Sequence, residues 1–153
     1  MALFVLDTGI LLGYARGAPF AQFVEDQFAP TQPPNLACVS VVSIGEIKCF
    51  PIRRAWAQKK RENLERLLRQ VPVVDINREA IIQRYAEIAT YCEGSNPAKP
   101  LPSGVSAHSM GDNDLWIAAT TSVVRGTLVT TDKDFKILDG VFLSVIQVDP
   151  RMK

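Results

Sequence analysis

Four acidic residues stand at corresponding places along the chain. Asp7 ends the apolar run Ala2–Leu6, and Glu46 lies in the first turns of a helix expected after an apolar strand at Leu36–Val42. Asp114 opens a helix behind Asn113, and Asp132 follows the strand-like stretch Thr127–Thr131. In an open parallel sheet such points converge on the carboxyl edge of the strands, where ligand sites lie. Carboxylates gathered there repel one another unless a cation neutralises them. A donor set made only of oxygen suits a hard ion, Mg²⁺ or alternatively Mn²⁺. Such an ion lowers the pKa of a bound water and clamps a phosphate oxygen, which permits in-line hydrolysis. Asp7 and Asp114 are the first candidates to hold it, with Glu46 and Asp132 as further ligands. The partial positive charge of a helix N-terminus is expected to keep Asp114 ionised.

Each acid taken singly has a plainer reading. Asp7 could cap the next helix, and Glu46 could close a Ser-x-x-Glu capping box with Ser43. Asp114 and Asp132 could be helix-start or turn residues. Their shared placement at one sheet edge favours chemistry over four separate structural roles. Thr8, Asn113 and Thr131 adjoin these acids and are candidates to orient them through hydrogen bonds.

Other chemistries are poorly served. The chain has one histidine, His108, in a Pro/Ser/Gly-rich stretch without a GxSxG elbow, so cleavage by a histidine pair within one chain is excluded. His108 reads as an exposed loop residue. Cys38, Cys49 and Cys92 form no CxxC pair and fall in apolar stretches, which predicts buried, unpaired thiols. With a formal net charge of +1, contact with nucleic acid would need a local basic patch. The densest cluster is Arg53, Arg54, Lys59, Lys60 and Arg61, partly balanced by Glu62 and Glu65, and a solvated helix face is its first reading.

The elements that must position the acids follow from periodicity. Short apolar strands alternate with helices, and no repeat or linker divides residues 1–153, so one α/β domain is expected. Phe20, Phe23, Val24 and Phe28 mark one helix face. Pro51 predicts a break, followed by a long helix over Ile52–Gln70 with Trp56, Leu64, Leu67 and Leu68 inward. Val71–Asp75 reads as an edge strand, Asn77 as the N-cap of a helix stopped at Gly94, and Leu143–Val148 as the last strand. Gly94–Gly111 is the longest irregular segment and ends beside Asp114; Lys99 and His108 within it could meet phosphates. No apolar run approaches the roughly 20 residues of a membrane helix. Met1–Leu6 is too short for a signal-peptide core, so a cytoplasmic protein with no membrane contact is expected.

Several of these segments resemble one family. Leu6-Asp7-Thr8, Ser43-Ile-Gly-Glu46, Asn113-Asp-Leu-Trp-Ile-Ala-Ala119 and Leu128-Val-Thr-Thr-Asp-Lys-Asp-Phe135 are similar, in order and spacing, to the motifs of PIN domains, especially bacterial VapC toxins. The resemblance implies a three-layer α/β/α fold around a parallel sheet of about five strands. It also implies a metal-dependent endoribonuclease that cleaves RNA, a cognate antitoxin and a homodimer. Gly9 departs from the Asn or Ser common after Asp-Thr, the 94–111 segment is longer than in compact relatives, and Asp134 competes with Asp132 as the fourth acid. Asp112 is a further acid without an assigned role. The alternatives are a PIN-like RNA-binding scaffold of weak catalysis, or another Mg²⁺-dependent phosphohydrolase. A haloacid-dehalogenase phosphatase would need an Asp where Gly9 stands, and a response-regulator receiver would need an acidic pair at the first strand.

Overall fold

In the computed structural model, which describes residues 1–153, five strands form one parallel sheet in the order β3-β2-β1-β4-β5. The strands are β1 (Leu3–Leu6), β2 (Leu36–Ser40), β3 (Val73–Val74), β4 (Thr127–Thr130) and β5 (Ser144–Gln147). The helices are α1 (Thr8–Arg16), α2 (Pro19–Phe28), α3 (Val41–Arg53), α4 (Gln58–Gln70), α5 (Glu79–Glu93) and α6 (Asp112–Val123), with a 3₁₀ helix at Lys133–Leu138. The expected three-layer α/β/α architecture is therefore present. Its cause is visible in the strands, which are apolar on both faces. Phe4, Leu6, Ala37, Val39 and Val129 point into one cluster with Ile10, Leu11, Val24, Ile47 and Leu64 of α1–α4. Val5, Cys38 and Leu128 point into the other with Ile81, Ile88, Ile117 and Ala118 of α5 and α6. Each fully buried aliphatic side chain of this kind stabilises the fold by about 1.5–3 kcal/mol.

Strand order determines where a ligand can sit. From β1 the chain builds outward through β2 to β3, then returns to add β4 and β5 on the other side. Neighbouring connections thus diverge between β1 and β4, leaving a crevice at their carboxyl ends. Parallel pairing aligns Leu6 with Val129 there.

Several local expectations need correction. Pro51 lies within α3 instead of ending it: the helix runs on to Arg53, and the N–H of Arg54 reaches the carbonyl of Phe50. A proline removes one N–H, and so near a helix end the surrounding bonds suffice. The break comes at Arg54–Ala57, where Ala55 takes a positive φ of 48° and Trp56 is buried, so the long helix expected from Ile52 is the end of α3 followed by α4. Asn77 does not cap α5, which begins at Glu79 behind an extended Arg78. Gly94 does end that helix, in the left-handed region (φ 74°) that costs glycine nothing. Of the three free cysteines, Cys38 and Cys92 are buried but Cys49 is exposed, on the solvent side of α3. The 94–111 segment is irregular as expected, yet it is tied down: Leu101 packs on the core, Met110 is buried and the N–H of His108 donates to the Cys92 carbonyl. Lys99 stacks over Phe142, just before β5 and so at the sheet edge opposite the acids, which takes it away from any phosphate bound there.

Candidate active site

Asp7 leaves β1 directly into α1, and its carboxylate serves two structures at once. Oδ1 accepts a hydrogen bond from the N–H of Thr8 at 2.8 Å, capping α1, while Oδ2 accepts from Thr130 Oγ1 at 2.6 Å across the β1–β4 crevice. The plain capping role and the place at the sheet edge therefore coexist. Asp7 is only 8% exposed, and its pKa is raised, first by burial and then by the neighbouring charges of Glu46 and Asp132, against the lowering effect of its two hydrogen bonds.

Glu46 arrives from α3. Its Oε1 accepts from Thr8 Oγ1 at 2.7 Å and its Oε2 from Asn113 Nδ2 at 3.3 Å, so one carboxylate joins the starts of α1 and α6. The capping-box alternative fails, because α3 starts earlier, at Val41, with Ser40 as its N-cap. Ser43 is instead fully buried, with an Oγ that has no hydrogen-bond partner. Asn113 is likewise not a cap: Gly111 occupies that position and Asn113 sits one residue inside the helix, free to reach Glu46.

Asp114 lies in the first turn of α6 and is half-buried. Its pKa is pushed up to about 6, first by burial and then by Asp7, Asp132, Glu46 and Asp134 in that order. Burial, with the charges of the neighbouring carboxylates behind it, thus outweighs the acidifying effect of the helix N-terminus. Asp132 caps the 3₁₀ helix, accepting from the N–H of Asp134 at 2.9 Å, and its own N–H donates to Thr130 Oγ1 at 3.0 Å. Asp132 is half-buried and acts on both Asp7 and Asp114, whereas Asp134 is exposed and acts on Asp114 alone, which favours Asp132 as the fourth acid. Asp112 is turned to Tyr85, whose hydroxyl donates to it at 3.0 Å.

The hydroxyl that holds Asp7 belongs to Thr130, not Thr131. Strand parity carries the signal: Val5 and Leu128 face the α5–α6 layer, so Asp7 and Thr130, two residues further on, face it too and stand opposite each other in register. Thr131 instead fills the space beside Gly9, where a Cβ would come within 3.0 Å of its Oγ1. Replacing Thr130 by valine keeps the shape of the buried residue and removes both bonds. We expect a loss of about 1–3 kcal/mol in urea unfolding and a fall in any activity that depends on Asp7, with Thr130→Ser close to wild type. A valine variant of unchanged stability would mean that Asp7 does not rely on this hydroxyl.

None of the four acids is ion-paired; the ion pairs of the chain are Arg84–Glu87 and Arg151–Asp149, both outside the site. As placed, no three of these groups stand close enough together to enclose a metal ion. The chemistry of the set nevertheless fits a hard cation. Every donor is a carboxylate oxygen, the neighbouring acids add to burial in raising the pKa of Asp7 and Asp114, and none of the four is paired with a lysine or arginine. An open wall of this kind leaves coordination positions for water and substrate.

The PIN domain family pattern matches residues 4–141. The chain belongs to the PIN domain family. Solved structures share its fold at low sequence identity. The crystal structure of VapBC2 from Rickettsia felis, bound to a DNA fragment from their promoter, matches with a TM-score of 0.73 and 20% identity over 96% of this chain and 99% of that one. VapBC-5 of Mycobacterium tuberculosis, a member of the VapBC family of toxin-antitoxin systems, gives 0.65 and 20% over 96% and 99%. FitAcB from Neisseria gonorrhoeae gives 0.68 and 19% over 96% and 97%. No curated protein matches the chain in sequence. No helix of this PIN domain is long and apolar enough to cross a membrane.

Proposed function

We propose that this PIN domain is an Mg²⁺-dependent endoribonuclease and the toxin of a toxin–antitoxin pair. One observation carries the reading: Asp7, Glu46, Asp114 and Asp132 arrive from four separate elements at the β1–β4 crevice, with no cationic side chain to offset them. Asp7 and Asp114 would hold the ion, joined by Glu46 and Asp132. When bound, Mg²⁺, or Mn²⁺ in its place, supplies an acidified water and charge neutralisation at a phosphate oxygen. The chain's own groups do the rest. Thr130 and the N–H of Thr8 hold Asp7 in one orientation, while Thr8 and Asn113 hold Glu46 against the opposite wall. Glu46 or Asp132 would take the proton that water loses on attacking phosphorus and return it to the leaving oxygen as its P–O bond breaks.

The fold shared with a member of the VapBC family of toxin-antitoxin systems supports an antitoxin protein as partner; a homodimer acting in the cytoplasm completes the proposal. Purified protein incubated with a panel of structured and single-stranded RNAs should give discrete fragments in Mg²⁺ or Mn²⁺ and none in EDTA. Cleavage that persists in EDTA, or none on any RNA at any Mg²⁺ concentration, would reject the enzyme and leave the scaffold reading.

A further inference from the structure

The basic cluster around the α3–α4 turn divides into two sets with different surroundings. Lys60 and Arg16 lie over the ring of buried Trp56, at 4.2 and 5.9 Å from its centroid, and Arg61 Nε donates to the Trp56 carbonyl at 2.8 Å. These cations brace the turn. Arg53 and Arg54 brace nothing comparable. Their guanidinium carbons lie 5.7 and 5.4 Å from the ring centroid of half-buried Phe50, both residues are exposed, and neither has a carboxylate partner.

Their place on α3 matters. At 100° per residue, Phe50 lies about 40° from Glu46 and Arg53 about 20° from it on the helix surface, some 10 Å further along the axis. Glu46, Phe50 and Arg53 thus form one stripe leading away from the candidate metal site, with Arg54 beside its end. The C-terminus of α3 favours a cation at both Arg53, in its last turn, and Arg54, its C-cap. That attraction does not explain why both guanidiniums gather at one ring, Phe50. Placing both guanidiniums beside one ring restrains them while leaving their N–H forks in water, where they can recognise a phosphate in two-pronged fashion.

We propose that Arg53 and Arg54, gathered beside the ring of Phe50, hold a phosphate of the RNA strand next to the one being cleaved. This subsite rests on the ribonuclease reading, and deepens it by giving the strand a direction, from the carboxylates along α3 toward its C-terminus. The scissile phosphate meets the acids while its neighbour meets the arginines, so the strand is anchored on both sides of Glu46.

The test uses a short single-stranded RNA that the wild-type protein cleaves. Arg53→Ala with Arg54→Ala should raise KM about ten-fold and leave kcat within about two-fold, at unchanged melting temperature. The slope of log Kd against log salt should become shallower by about 0.7 for each phosphate no longer neutralised, read with the same RNA on the Asp114→Asn background. Arg53→Lys with Arg54→Lys should recover part of the affinity, since charge is kept while the fork is removed. Arg66→Ala with Arg69→Ala, in the groove between α3 and α4, should leave KM unchanged. Wild-type KM and salt slope in the double alanine variant would overturn the subsite while leaving the ribonuclease intact. So would loss of antitoxin binding with RNA affinity unchanged, which would make the stripe a protein-docking surface. A wild-type protein that neither cleaves nor binds RNA would overturn both.

Discussion

Asp114→Asn is expected to lower kcat/KM for RNA by about 10²–10³-fold in saturating Mg²⁺, the scale on which one charge-stabilising group is felt in a transition state. The substitution keeps the shape of the side chain and removes its charge. Folding should survive, because Asp114 forms no ion pair and is held at a raised pKa, about 6, by burial and by four like charges. Removing a charge that its surroundings disfavour relieves repulsion. Asp7→Asn should lower activity to a similar extent, but it is the less clean experiment. Both carboxylate oxygens of Asp7 accept hydrogen bonds, from Thr8 N–H and Thr130 Oγ1, and an amide can present only one acceptor oxygen to two donors. Asp7→Asn should therefore lose stability that Asp114→Asn keeps. Cleavage by Asp114→Asn at the wild-type rate, in a preparation free of contaminating nuclease, would eliminate the proposed chemistry.

Mg²⁺ should raise the melting temperature of the wild-type protein by about 5–10 °C at a concentration near 100 times its Kd. That figure combines about 2.7 kcal/mol of ligand stabilisation with about 2–4 °C per kcal/mol for a chain of this size. The pH dependence without metal has the opposite sign to that of an ordinary salt-bridged acid. Asp7 and Asp114 are both raised above their unfolded values, so the folded state binds protons more tightly than the unfolded chain. For Asp114 the associated stability is fully present below about 3.8 and is lost as pH rises through about 6. In EDTA, melting at pH 5 should accordingly exceed melting at pH 7.5 through these groups, and Mg²⁺ should narrow the difference by binding more tightly at the higher pH. Asp114→Asn should show a smaller pH dependence in EDTA and little response to Mg²⁺. Differential scanning fluorimetry across pH, with and without metal, reads all of these. A wild-type melting curve indifferent to Mg²⁺ at pH 7.5 would remove the metal site.

Much of the fold was legible because its elements are local. Apolar runs at Ala2–Leu6 and Thr127–Thr131 can be buried only in a two-faced sheet, and Gly94 ends its helix by a backbone geometry that depends on its own neighbours. The placement of the proposed acids follows a related rule: Asp7 and Asp132 follow strands, Asp114 lies in the first turn of α6 and Glu46 in the second turn of α3, and a parallel sheet brings such points toward one edge. What the one-dimensional reading could not decide was which partner each group would find. Pro51 inside α3, Ala55 turning the chain with a positive φ, and the exposure of Cys49 depend on how α3 and α4 pack around Trp56. Thr130 displaced Thr131 as the holder of Asp7 because the β1–β4 register is set by pairing across 123 residues of sequence, and a shift of one residue turns a side chain to the other face. The raised pKa of Asp114 arises in the same way. A helix N-terminus acts on its own first turn, but the burial of Asp114, and after it the charges of Asp7, Asp132 and Glu46 from other elements, are supplied only by the tertiary fold.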